Sequence, residues 1–99
     1  MFTADINTGL IEFKETERAV LLDVRTPMEY AQGHIPGSIN VPLQGIDKAA
    51  EVVEDKDVPV FVYCYSGSRS HHATALLEEM GYCNVKNIGG IASYTGEVE

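Results

Sequence analysis

Basic residues are scarce in this sequence, seven against fifteen acids, and the formal charge is −8. A nucleic acid or an anionic membrane surface needs a basic face, so neither is expected as a partner. The same field mildly repels small anions. Cysteine is equally scarce. Cys64 and Cys83 are too few for a disulfide framework. There is no CxxC pair and no Cys/His cluster at zinc-ligand spacing, so no metal is expected, and nothing calls for an organic cofactor. No apolar run approaches the length of a membrane-spanning helix. The opening residues, Met1 to Asn7, lack a basic segment followed by an apolar one, the pattern of a secretory leader. A cytoplasmic setting is the expectation.

What is present reads as one domain over residues 1–99. The apolar fraction of 44% and charged fraction of 22% are those of an ordinary globular chain. Three apolar runs rich in β-branched residues, Ala19–Val24, Ser38–Val41 and Pro59–Tyr63, are nearly continuous rather than alternating. That pattern predicts strands buried on both faces of a parallel sheet. A weaker fourth run, Asn84–Ile88, ends at Gly89-Gly90. Helical stretches fall between them. Thr8 to Glu17 turns Leu10, Ile11 and Phe13 to one side, Thr26-Pro27 is an N-cap followed by a first-turn proline, and Leu43 to Val53 is a third helix. Ser70 to Met80 is the clearest, with Ala73, Leu76, Leu77 and Met80 in register and Gly81 as a stop. Alternating strands and helices predict an α/β domain.

The chemistry is concentrated after the third run. Cys64-Tyr65-Ser66-Gly67-Ser68-Arg69-Ser70 joins a buried strand to a helix, so Cys64 lies at the carboxyl end of a strand, where open α/β sheets bind ligands. The following amides, at a helix N-terminus, make an anion-binding concavity. The helix dipole and Arg69 both favour thiolate, Gly67 lets the loop turn, and the hydroxyls of Ser66, Ser68 and Ser70 are available to an anion held on the sulfur. A strand-end cysteine alone reads more readily as a small buried hydrophobe. The polar, glycine-containing, arginine-terminated loop favours a nucleophile instead.

A second stretch is as distinctive. Asp23-Val24-Arg25 is followed by Glu29-Tyr30 and then by Gly33-His34-Ile35-Pro36-Gly37-Ser38-Ile39-Asn40-Val41-Pro42. Together with the Cys64–Ser70 loop, and with Gly81-Tyr82 and Val85-Lys86-Asn87-Ile88-Gly89-Gly90 after it, this order resembles the rhodanese family over roughly residues 19–94. The resemblance implies a mainly parallel five-stranded sheet flanked by helices. The first strand would be reduced or supplied by Phe2 to Ile6, and Tyr94 stands where many relatives have tryptophan. It also implies a sulfurtransferase, in which the Cys64 thiolate takes a sulfane sulfur from a small donor such as thiosulfate. The sulfur then passes to a thiophilic acceptor: cyanide, a small thiol or a protein thiol. A covalent persulfide would split one difficult transfer into two easier ones, with the Tyr65–Ser70 cradle holding its anionic sulfur.

The loop also separates this chemistry from that of phosphatase relatives. Four residues lie between Cys64 and Arg69, one fewer than in the phosphatase-type loop, so a phosphatase or arsenate reductase is disfavoured. A non-enzymatic sulfur carrier or protein-interaction module is a further alternative, against which the intact cysteine loop counts. By the family's pattern Arg69 pairs with an acidic residue, for which Glu29 is the candidate. Asp23 is expected as a framework acceptor near the loop. Arg25 is either a cation at the pocket mouth or one half of a surface ion pair. His34 is expected in a structural hydrogen bond, His71 and His72 on a solvated helix face, and Cys83 as a half-buried structural cysteine rather than a resolving thiol.

Overall fold

The structure, a computed structural model, describes residues 5–99. Four strands, β1 (Val20–Asp23), β2 (Ser38–Asn40), β3 (Val60–Cys64) and β4 (Val85–Gly90), form one sheet in the order β2-β1-β3-β4, every pair parallel. The five strands expected are thus four among the described residues. Ile6, proposed to end a first strand, instead opens helix α1 (Ile6–Glu15), and the other part of that expectation, up to residue 4, lies outside the described residues.

Successive side chains of a strand point to opposite faces, and here both faces are buried. Leu22, Val60, Val62 and Cys64 face one layer, packed with Val41, Ile46, Ala49, Val53, Ala73, Leu77 and Tyr82. Leu21, Phe61 and Tyr63 face the other, against Ile6, Leu10 and Ile88. Helix α4 (Ser68–Glu79) and helix α3 (Ala49–Val52) contribute to the first layer and α1 to the second. Cys64 is therefore on the α4 side of β3, and its sulfur faces the start of the helix that follows it.

Local chemistry explains where the elements depart from the expected bounds. Helix α1 starts early because the Asp5 carboxylate accepts from the Asn7 amide (3.0 Å). It buries Ile6 and Leu10 against the sheet. Ile11, expected on that side, is 60% exposed. The close approach depends on Gly9, where a Cβ would lie 2.5 Å from Ile88 Cβ. The third helix is broken: a 3-10 stretch over Leu43–Lys48 has non-helical backbone at Gly45 and only then becomes α3. Strand β4 takes in both Gly89 and Gly90, because Gly90 pairs beside Cys64 and its backbone packs on the loop. A Cβ there would fall 2.1 Å from the Tyr65 carbonyl oxygen. No helix among the described residues is long and apolar enough to cross a membrane.

Candidate active site

Helix α2 (Pro27–Gln32) connects β1 to β2 on one side of the sheet, and α4 connects β3 to β4 on the other. The chain therefore diverges between β1 and β3, and their carboxyl ends flank the crevice where such sheets place ligands. Asp23 ends β1 and Cys64 ends β3. The nucleophile expected from the loop sits at this position.

Helix α4 begins at Ser68, two residues earlier than expected, because Gly67 at φ +104° turns the chain directly from loop to helix. Only a glycine enters that left-handed region without cost. The tight turn brings the Gly67 amide to 3.0 Å from Cys64 Sγ, toward which it donates, and the Ser70 hydroxyl to 3.4 Å. Burial pushes the Cys64 thiol up. Hydrogen bonds from the Ser70 hydroxyl and from the amides of Ser70, Gly67 and Ser66 outweigh it, so the thiol lies below its ordinary value. Ser66 and Ser68 are exposed, and it is the Ser70 hydroxyl that bonds the sulfur. Tyr65, adjacent to Cys64, is 55% exposed, whereas Cys64 itself is fully buried. Neither of two surface cavities, about 360 and 320 Å³, is lined by Cys64. The sulfur is buried beneath the Gly67 amide and the Ser70 hydroxyl.

Arg69 does not point a bare charge at the sulfur. Its guanidinium makes a two-pronged pair with Glu29, Nη1 to Oε1 at 2.7 Å and Nη2 to Oε2 at 3.0 Å, the partner expected. Glu29 also completes a capping box on α2, accepting from the Thr26 amide while Thr26 Oγ1 accepts from the Glu29 amide. The pair thus ties the start of α2 to the start of α4. Arg69's hydrogen bonds hold the Glu29 carboxyl down to about 2, against partial burial and with help from Thr26. A carboxyl held low in the folded chain stabilises it above its unfolded value and loses that contribution as pH falls toward the folded one. The clamp is therefore expected to be constant above about pH 5 and to weaken from there toward pH 2. An NMR titration of Glu29 should show its midpoint near 2, and a midpoint above 4 would contradict the clamp.

Arg25 is neither at a pocket mouth nor in a surface pair, and both expectations are corrected. It is 5% exposed and wraps Asp23, which is fully buried. The bonds run from Nε to both carboxylate oxygens at 3.1 Å and from Nη2 to Oδ2 at 2.7 Å, with Nη2 also donating to the Gly33 carbonyl at 2.8 Å. The physical reason is spacing: residues two apart on an extended segment share a face, so the charges neutralise each other inside. Asp23 is a framework acceptor, as expected, but its donors are the guanidinium and the backbone amide of Arg25 (2.9 Å).

The remaining candidates lie away from the sulfur or support the frame. His34 Nδ1 is 2.9 Å from the Tyr30 carbonyl and its ring stacks on Tyr30 at 3.7 Å. His71 and His72 are on the exposed side of α4's first turn. Cys83 is exposed rather than half-buried, and a hydrogen bond to Asp57, with that residue's charge, pushes its thiol up. It precedes β4, whose far end pairs with Cys64, so the two sulfurs lie at opposite ends of the strand, roughly 20 Å apart. Cys83→Ser should leave single-turnover sulfur loading unchanged, and a clear loss by intact mass would contradict this placement. Among the described residues no group of three or more His, Cys, Asp or Glu is placed to hold a metal ion.

Sequence reasoning missed Asn87. Its side-chain oxygen accepts from the Gly89 amide at 3.0 Å and lies 2.7 Å from Ser70 Oγ, while its Nδ2 donates to the Gly67 carbonyl at 3.2 Å. The available signal was an asparagine two residues before a glycine pair, the spacing of a local side-chain turn.

The comparisons agree with this geometry. A model of the rhodanese-like domain matches residues 7–97. Thiosulfate sulfurtransferase PspE of Escherichia coli is 45% identical over 71 residues, which is 71% of this chain and 68% of that protein. A sulfurtransferase of Allochromatium vinosum is 43% identical over 82 residues, 81% of this chain and 75% of that one. Among solved structures, a rhodanese with anions from E. coli superposes with a TM-score of 0.76 at 39% identity, covering 82% of this chain and 96% of that one. A parallel α/β sheet that presents a cysteine loop at its switch point, matched over nearly its full length by that domain model, makes this chain a member of the rhodanese-like family.

Proposed function

We propose that this chain is a sulfurtransferase that carries sulfane sulfur as a persulfide on Cys64. The observation that carries the reading is the Cys64 sulfur closed beneath the Gly67 amide at 3.0 Å and the Ser70 hydroxyl at 3.4 Å. In the first half-reaction the Cys64 thiolate attacks the outer sulfur of a donor such as thiosulfate. The new S–S bond forms as the donor's S–S bond breaks, and sulfite leaves with that bond's electron pair. In the second, cyanide or a thiolate acceptor attacks the terminal sulfur, the Cys64–sulfur bond breaks, and the thiolate is regenerated. The terminal sulfur of the intermediate is anionic, and amides already oriented inward stabilise it without rearrangement. Names of relatives and the anions described for the E. coli structure support an anion-holding, sulfur-transferring site.

The charge distribution bears on the donor. With Arg69 held by Glu29 and a chain charge of −8, a thiosulfate dianion meets amides and hydroxyls rather than a free cation. Thiosulfate is thus a usable test donor but a weakly held one, and a persulfide donor is the better match. Neither cysteine is placed to pair with the other, which suits a reducing, cytoplasmic compartment. The test is a paired assay: thiocyanate formation from thiosulfate and cyanide, beside hydrolysis of an aryl phosphate. Thiocyanate without phosphate release is expected. Phosphate release without thiocyanate would overturn the assignment in favour of a phosphatase.

A further inference from the structure

Ser70 Oγ carries one proton and is surrounded by acceptors. Asn87 Oδ1 is at 2.7 Å, the Gly67 carbonyl at 3.0 Å, Cys64 Sγ at 3.4 Å and the Gly89 carbonyl at 3.5 Å. Asn87 cannot turn its amide over to become a donor to Ser70. The Gly89 N–H requires an oxygen on one side, and the Gly67 carbonyl requires the NH2 on the other. The Asn87 oxygen is therefore a fixed acceptor nearer to the hydroxyl than the sulfur is.

We propose that Asn87 is a positioning residue for the nucleophile, its side-chain oxygen competing with Cys64 Sγ for the single hydroxyl proton of Ser70. This rests on the reading of Cys64 as the sulfur-carrying nucleophile. While Cys64 is a thiol, the hydroxyl donates to Asn87 and its oxygen is free to accept the S–H. When the thiol ionises, its proton leaves to water and the hydroxyl rotates toward the thiolate, giving up Asn87. No bond within Ser70 breaks. The hydroxyl thus stabilises the thiolate only by the difference between the sulfur and the best competing acceptor, of which Asn87 Oδ1 is the nearest and the Gly67 carbonyl the next, so Asn87 limits how far the thiol is acidified. A support role for Asn87 is secondary at Gly67, because the Gly67 carbonyl is also held by the His71 amide at 3.0 Å.

The charged groups around the pair are already matched. Arg69 of α4 is paired with Glu29 of α2, and Arg25 with Asp23 of β1. On the outer side of Asn87, Lys86 of β4 pairs with Glu12 of α1, with Asp5 beside the same cavity. These groups are the same in the parent, Asn87→Leu and Ser70→Ala chains, so a change in Cys64 ionisation among them reports the hydroxyl's choice of acceptor, whereas Asn87→Asp adds a charge whose direct repulsion persists without Ser70.

The experiment is a titration of Cys64 thiolate absorbance in the ultraviolet, in a Cys83→Ser background so that one thiol reports, with no sulfur donor present. Asn87→Leu removes the nearest competing acceptor, leaving the Gly67 carbonyl, and is expected to lower the midpoint by about half a pH unit or more. Asn87→Asp installs a stronger and charged acceptor and should raise the midpoint, through the hydroxyl and through direct repulsion of the thiolate. In a Ser70→Ala background, Asn87→Leu should no longer move the midpoint. A residue that merely braced the loop would raise the midpoint in both variants, with or without Ser70, and that result, or no shift in either, overturns the proposal. If Asn87→Leu does not fold, Asn87→Asp decides: its rise should be at least halved by Ser70→Ala, and an undiminished rise contradicts the competition. Sulfur loading of the wild-type chain is measured separately, so failure of the persulfide reading is distinct from failure of this one.

Discussion

Cys64→Ser is expected to lose sulfur transfer by roughly a thousand-fold or more while keeping the melting behaviour of the parent chain. The two halves of that expectation have separate causes. A serine hydroxyl does not ionise at neutral pH and forms no persulfide, so the covalent route closes completely. The side chain is fully buried on the α4 face of β3, among Val62, Ala73 and Leu77. An oxygen there is smaller and retains the Gly67 amide as donor, so packing changes by much less than a lost methylene, about 1 kcal/mol. Thiocyanate formation and a thermal melt on the same preparation test both halves. Transfer surviving in the variant would remove Cys64 from the mechanism.

The largest effect on stability is expected at the carboxyl end of β1. Asp23→Ala leaves the Arg25 guanidinium 5% exposed with no counter-charge, held by its bond to the Gly33 carbonyl and its place 5.8 Å over the Tyr63 ring. Breaking a buried pair by removing one partner costs about 3–5 kcal/mol. For a chain of this size that lowers the melting temperature by roughly 15 °C or more. Replacing both partners by apolar residues, Asp23→Leu with Arg25→Met, should recover a substantial part of the loss, because the cost lies in the orphaned charge rather than in the missing pair. Thermal melts of the single and double variants check this. A single variant as stable as the parent would mean that Arg25 reaches solvent, contrary to the geometry.

The place of Cys64, at the end of a buried strand and the start of a helix, was legible in the sequence because its signal is local. A buried strand, a polar loop with Gly67, and a helix follow one another within a short segment, and the ends of parallel strands are where ligands bind. Glu29 was legible only through the resemblance, since its contact with Arg69 joins segments 40 positions apart in the chain. Arg25 was misplaced because a charge at a strand end usually reaches water, and only the fold shows that the segment is covered. Asn87 was missed for a related reason. Its role exists only because β4 pairs with β3 and brings it beside the loop, and no local pattern states that pairing. The fold followed similar lines. The order of strands and helices was legible, whereas the break at Gly45 and the early start of α4 at Gly67 depend on backbone angles that residue types permit without requiring.

The most direct test of the central claim is an intact-mass spectrum of the protein after mixing with thiosulfate or a persulfide donor, repeated after cyanide is added. The account predicts a gain of one sulfur atom that maps to Cys64, is absent in Cys64→Ser, and disappears with cyanide. No gain from either donor, or a sulfur that maps to Cys83, would contradict it.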